Sequence, residues 1–274
     1  VWDGTRFSGA DVLVYSDTDS GWNDELTLVH EAEGGEGDHP IDVASRALAL
    51  ESLQRHLPSG RGVVLDAGCS SGFLLRDLVA TMPAVSPIGA DFIAGPLRRL
   101  APRLPGVPLI QFDLRASPFP DQCLDAVVCL NVLEHIDRDE VALAEIARML
   151  RPGGIAYIEV PAGPQYYDIY DEYLMHHRRY TSEELLRKGA AAGLRVISHS
   201  HLGALVYPGF AFVKRRNRRL LSLPQAEKAA LAQKMMRETR RSAVMAFAIR
   251  LELALGRMIR YPAGIRCVAT FRKP

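Results

Sequence analysis

Ten residues constrain this chain more than any others: Val63-Val64-Leu65-Asp66-Ala67-Gly68-Cys69-Ser70-Ser71-Gly72. An apolar, partly β-branched run closes on an acid, turns through small residues and passes into the helical pattern of Phe73 to Met82. That order predicts a parallel strand feeding a glycine-rich loop and a helix. Such a loop is a ligand entrance, because Gly68 and Gly72 can take backbone angles closed to other residues and the free N–H groups of the helix start face the ligand. The acid at the strand end selects among ligands: Asp66 would repel a pyrophosphate and attract a positively charged group. The glycines are not spaced G-x-G-x-x-G, which argues against a nicotinamide-binding domain. Gly68 to Gly72 also fits G-x-S-x-G, the turn that presents a serine nucleophile in α/β-hydrolases, with Ser70 in that role. A hydrolase needs several strands upstream of this turn, and the residues before Val63 read poorly as a sheet.

Beyond the loop, Val85 to Asp91 reads as a second strand closing on an acid. Asp91 lies about twenty residues past the glycines, from where an acid in nucleotide-binding α/β units accepts both ribose hydroxyls. Pro96 to Leu104 is a basic helix, and Val107 to Asp113 a third acid-ended strand. Pro118 to Leu130 reads as a turn followed by a fully apolar strand, of the kind buried on both faces in the middle of a parallel sheet. Asn131 to Ile136, a helix to Leu150, the turn Arg151-Pro152-Gly153-Gly154 and the strand Ile155 to Val160 follow. Strands alternating with helices predict an α/β fold with a doubly wound, mainly parallel sheet. Its ligand crevice lies outside the carboxyl ends of the strands, where Asp66, Asp91, Asp113 and Asn131 fall.

Asp66-x-Gly68-x-Ser70-x-Gly72 resembles the first motif of the class I S-adenosylmethionine (SAM) methyltransferases, with serine at the usual middle glycine. Phe119-Pro120 with Asp125, Leu130-Asn131-Val132-Leu133-Glu134-His135 and Arg148-Met149-Leu150-Arg151-Pro152-Gly153-Gly154 closely resemble the type 11 and ubiquinone-biosynthesis-like groups of that class. The resemblance spans Val63 to Pro161, and several motifs in one order are far more specific than any alone. It implies a Rossmann-like seven-stranded sheet, SAM as cofactor and S-adenosylhomocysteine as product. The cofactor-binding residues it implies are Asp66, Ala67, Gly68, Cys69, Gly72, Asp91, Phe92, Asp113, Leu114, Asn131 and Val132. Asp113 and Leu114 would meet the adenine edge and Phe92 its face.

From Pro161 to Thr181 the chain is rich in rings and ionisable groups and emerges at the same sheet edge, the natural wall of a substrate pocket. Tyr166, Tyr167, Tyr173, Arg179 and Tyr180 are the expected substrate residues. His176-x-x-Arg179-Tyr180-Thr181 resembles a segment of the type 11 relatives, so His176 is the first candidate for a general base, and His135 the second. The acceptor expected is an oxygen or nitrogen, less so a carbon, of a small molecule, glycan or lipid-linked compound. The alternative from another class is a protein that binds SAM or its product without catalysis; the hydrolase using Ser70 is third.

The organisation read from the chain is an extension or lid over 1–40, a core over 41–201, a helical insertion over 202–262 and the last strand over 263–274. Trp2, Phe7, Tyr15 and Trp22 are the rings of the extension, and Glu31 to Asp38 reads as loop. The insertion carries an apolar stretch, the basic cluster Lys214 to Arg219, and one long helix from Ala226 to Ile259. It reads as a helical cover or a homodimer interface, with docking on an anionic membrane as the alternative. A net charge of +1 makes no case for nucleic acid. The four cysteines lack zinc-like spacing, so no metal site is expected and they read as free thiols. No signal peptide or membrane-length apolar run is read, which points to the cytoplasm, with a peripheral membrane location if the insertion docks.

Overall fold

Val64 and Leu65 are neighbours in one strand, and both are fully buried on opposite sides of a sheet. Side chains alternate across a strand, so an unbroken apolar run needs cover on both faces. Leu65, Val127 and Ile158 pack with Leu143 and Ile146 from one helix layer, while Val64, Val128 and Tyr157 pack with Leu53, Leu74 and Leu78 from the other. Each fully buried leucine of this kind contributes roughly 1.5 to 3 kcal/mol.

The computed structural model describes residues 12–15, 39–240, 243–256 and 259–274. The first half comprises β1 (Leu13–Val14), α1 (Pro40–His56), β2 (Gly62–Ala67), α2 (Phe73–Thr81), β3 (Val85–Asp91), α3 (Ala94–Leu100), β4 (Leu109–Gln111), β5 (Leu124–Leu130) and α4 (Asp139–Met149). Then follow β6 (Leu150–Pro161), α5 (Ile169–Tyr173), α6 (Ser182–Ala191), β7 (Arg195–Leu202), α7 (Tyr207–Asn217), α8 (Gln225–Arg240), α9 (Ala243–Gly256) and β8 (Arg266–Arg272). The strand order is β1-β4-β3-β2-β5-β6-β8-β7. Pairs from β1 to β6 are parallel, and β8 lies antiparallel between β6 and β7. The chain turns outward in one direction from β2 and in the other from β5, so the crevice between these two strands is the topological switch point.

The doubly wound, mainly parallel sheet is as expected, but it has eight strands rather than seven. The additional one, β1, is two residues long and pairs with β4 from within the segment read as an extension. Tyr15 is half exposed just beyond β1, whereas Trp2, Phe7, Trp22 and the loop Glu31 to Asp38 lie outside the described residues. Of the stretch Ala226 to Ile259 expected as one helix, the described residues up to Gly256 are helical, as α8 and α9, and 241–242 and 257–258 lie outside the described residues.

Candidate active site

The site is built where strands end. Gly68 and Cys69 both donate their N–H to the carbonyl of Ala90 at 2.8 Å, which ties the loop after β2 to the end of β3. Gly68 has φ +82°, and a Cβ there would lie 2.2 Å from Cγ2 of Val132. A glycine is therefore needed for Val132, just past β5, to close over the loop. Asp91 accepts the N–H of Ser70 at 2.9 Å on one carboxylate oxygen and that of Ile93 at 3.0 Å on the other, which fixes its orientation. Ser70, Asn131 and Met175 have φ of +44°, +53° and +55°. Left-handed backbone at non-glycine residues is uncommon; of the four such residues described, Ser70 and Asn131 line one cavity, Met175 lies between the lining residues Leu174 and His176, and Gln122 is away from it.

That cavity has a volume of about 960 Å³, the upper end for a ligand pocket. Asp66, Ala67, Gly68, Cys69, Asp91, Phe92, Asp113, Leu114, Asn131 and Val132 all line it. Burial, and after it the charge of Asp91, pushes the Asp66 carboxyl up to about 8. Asp113 is raised by burial, but hydrogen bonds and charge from Arg115 outweigh this and hold it below its ordinary value. The Arg115 guanidinium grips it with contacts of 3.1, 3.1 and 2.7 Å. Asn131 donates its side-chain amide to buried Glu159 at 3.0 Å, and Glu159 also accepts from Ser45 and Arg266. Arg266 reaches on to Asp42, so the starts of α1 and β8 are both fastened to the cavity wall.

Gly72 is a correction, because it is not on the wall. It caps α2 with φ +71°, and a Cβ there would strike Leu100 at 2.5 Å, so its role is packing α2 against α3.

The opposite wall comes from the segment after β6. Asp168 caps α5 in a reciprocal capping box with Asp171. Asp171 is fully buried and accepts from Nδ1 of His176 at 2.9 Å and from Arg179 at 2.7 Å on one oxygen. Lys214, from α7, donates to Asp168 at 2.6 Å and to the other oxygen of Asp171 at 3.0 Å. The His176 ring meets that of His135 edge-on, with centroids 4.7 Å apart. Burial lowers the pKa of His176 more than Asp171 raises it, so the imidazole is neutral near pH 7, the form that can accept a proton. His176, His135 and Arg179 line the cavity, as do Tyr170, Phe210 and Lys214.

Four tyrosines expected on this wall are elsewhere. Tyr180 is fully buried and donates to Asp139 at 2.7 Å, within a structural cluster that includes Lys188 and Arg178. Tyr167 donates to the carbonyl of His176 at 2.8 Å and so holds its backbone. Buried Tyr166 is bonded to Tyr207, and Tyr173 is not on the cavity wall. Lys214, Asp168 and Asp171 are among the residues that sequence reasoning did not assign to the site, as are Tyr170 and Phe210; Lys214 was one of five cations in its basic run. Glu134 is fully buried with neither carboxylate oxygen hydrogen-bonded, and burial pushes it up to about 8. Donor atoms of Glu134, His135 and His176 lie within 4.8 Å of one another, an arrangement that could hold a metal ion and that cysteine spacing could not have signalled.

Residues 65–158 match the family model described as a methyltransferase domain. Over these residues the chain carries a SAM-dependent methyltransferase domain. A SAM-dependent methyltransferase of Mycolicibacterium smegmatis is 35% identical over 106 residues, which cover 39% of this chain and 40% of that protein. The ubiquinone biosynthesis O-methyltransferase of Aeromonas salmonicida is 35% identical over 152 residues, covering 48% of this chain and 63% of the enzyme. The chain thus spans less than two thirds of the curated relatives it matches most strongly. Among solved structures, Haemonchus contortus phosphoethanolamine N-methyltransferase 2 in complex with SAM superposes with a TM-score of 0.57 at 17% identity, covering 92% of this chain and 58% of that one, and so shares the fold. The cofactor of the methyltransferase domain is SAM, and the cavity fits it: an oriented carboxylate at the end of β3, an acid at the end of β2 and a glycine that lets the wall close on the loop. The domain leaves Ser70 without the role of a hydrolase nucleophile.

Proposed function

We propose that this chain moves a methyl group from SAM to an oxygen or nitrogen of a small-molecule, glycan or lipid-linked acceptor, with His176 as the proton acceptor. The observation that carries the reading is one cavity shared by the strand-end cofactor residues and the neutral, carboxylate-anchored His176. SAM, when bound, supplies an electrophilic methyl carbon on a sulfonium. Asp91 is the acceptor for the ribose diol, Asp113 and Leu114 bound the adenine edge, and Phe92 packs on the ring; Gln111 holds the Phe92 backbone through a 3.1 Å bond. Asp66 answers the positive charge of the ligand, which draws its raised pKa back down.

As the acceptor atom gives its lone pair to the methyl carbon, the carbon–sulfur bond breaks and its electrons stay on sulfur. The acceptor proton then passes to Nε2 of His176, while Nδ1–H remains on Asp171. Holding the three reacting atoms in line and keeping water out can supply roughly 7 to 11 kcal/mol, so no covalent intermediate is needed. A non-catalytic SAM binder would have no use for this second wall.

For partners, the reading includes contact of segment 202–262 with a membrane surface or a second copy of the chain. Support comes from Val244, Phe247 and Leu251, exposed along α9, and from Phe212, exposed beside the basic run. No helix among the described residues is long and apolar enough to cross a membrane.

Calorimetric titration with SAM and with S-adenosylhomocysteine tests the cofactor half: micromolar binding of both is expected, and no binding of either would refute it. For the second half, His176→Ala should lower turnover about 100-fold or more in an acceptor screen while SAM affinity stays within about twofold. Parental turnover in that variant removes the base assignment.

A further inference from the structure

The basic run Lys214 to Arg219 looks uniform in sequence, yet its first member behaves unlike the rest. Lys214 is 7% exposed, whereas Arg215, Arg216, Arg218 and Arg219 are exposed. Its ammonium sits 2.6 Å from Asp168 and 3.0 Å from Asp171, with the rings of Tyr170 and Phe210 at 5.1 and 5.7 Å. Both carboxylates are fully buried. Asp171 uses one oxygen for His176 and Arg179 and the other for Lys214 and the backbone N–H of Asp168.

Two buried carboxylates this close cannot both stay ionised and in place without matching cations. Arg179 and Lys214 provide one charge each. Without Lys214, two negative charges would face a single guanidinium, and either Asp168 would take up a proton or the pair would swing apart. With Lys214 gone, the second oxygen of Asp171 keeps only the backbone N–H of Asp168, at 3.1 Å, and no cation; the orientation of Asp171 determines which nitrogen of His176 carries the proton. Neutral imidazole otherwise populates both tautomers.

We infer that Lys214 is a positioning residue for methyl transfer: from outside the core it locks Asp168 and Asp171 so that His176 keeps its proton on Nδ1 and presents Nε2 as the acceptor. The inference rests on the reading of His176 as proton acceptor. It makes α7, in the segment that the family resemblance did not explain, part of the catalytic wall rather than a cover. The groups around the imidazole are Asp168 and Asp171 from α5, Arg179 after it, Lys214 from α7, and Glu134 and His135 after β5.

The test needs no acceptor. The full chain is labelled with ¹⁵N-histidine, saturated with S-adenosylhomocysteine, and the ring nitrogens are read by two-bond ¹H–¹⁵N correlation. Eight histidines are present, and the spectrum of His176→Ala identifies the signals of His176. In the parent, Nδ1 should appear protonated and Nε2 bare. In Lys214→Met the two shifts should converge as the tautomers mix, and Lys214→Arg should restore the parental separation. Should Lys214→Met fail to fold, Lys214→Gln keeps a donor without the charge and carries the same expectation. A folded Lys214→Met or Lys214→Gln with the parental tautomer, changed only in melting temperature, would make Lys214 merely structural and overturn the inference. A parent that shows no single Nδ1–H tautomer would instead overturn the reading of His176 itself.

Discussion

Two carboxylates of the site, Asp66 and Asp91, sit at neighbouring strand ends and carry different loads. Asp91 is held by two backbone N–H groups, so Asp91→Ala removes a ligand contact and loosens the loop at Ser70. Calorimetry should show SAM affinity lowered at least tenfold, about 1.5 to 3 kcal/mol for hydrogen bonds to a charged group, with the circular dichroism spectrum unchanged. An unchanged affinity would take Asp91 out of the site. Asp66 and Glu134 are instead pushed up to about 8 by burial. Between about pH 4 and 8 they hold protons in the folded chain that the unfolded chain has released, so they make stability fall as pH rises through that window. Asp113 and Asp171 are shifted down and run the other way, with stability present above about pH 4 and lost below it. Without ligand, Asp66→Asn should therefore flatten the decline in unfolding free energy from pH 5 to 8, read by chemical denaturation, by an amount on the order of a few kcal/mol. Parallel pH profiles for variant and parent would contradict the buried, protonated state.

The loop between β2 and α2 can be tested by adding one carbon. Gly68→Ala places a Cβ against Val132 at a positive φ, and the cost expected is about 1 to 3 kcal/mol in chemical denaturation together with weakened SAM binding. A neutral substitution would mean that Val132 moves aside freely. This part of the chain was legible in the sequence because β2, β3 and β5 are apolar runs that end in acids or asparagine, and a parallel sheet puts all such ends on one edge. β1 was not legible: two residues with a single neighbouring strand have no period to read. Tyr166, Tyr167, Tyr173 and Tyr180 were misplaced because a loop has no periodicity to say which rings face inward. Tyr180 turned to Asp139, and Tyr170 took the wall position instead. Gly72 was read as a ligand contact when the contact that needs it is Leu100.

Segment 202–262 is moored to the core by buried charge as well as by apolar packing. Glu252 of α9 is 2% exposed and accepts the N–H groups of Gly203 and Leu205 at 2.7 and 3.0 Å, while Lys228 of α8 pairs with Glu172 of α5. Glu252→Ala should cost about 2 to 4 kcal/mol and open α9 to limited proteolysis, while the affinity for S-adenosylhomocysteine stays near that of the parent. Resistance equal to the parent would mean that packing alone holds α9. The sheet order adds a consequence for the chain as it is made. β8 is the last of the eight strands to leave the ribosome, yet its place is between β6 and β7, and Arg266 at its start is bonded to Glu159 and Asp42 on the cavity wall. Until that strand emerges, β6 and β7 have no partner to join them and present open hydrogen-bonding edges. The ligand cavity and the closed sheet are thus completed together, when β8 joins, and until then those edges are exposed to mispairing and to capture by chaperones.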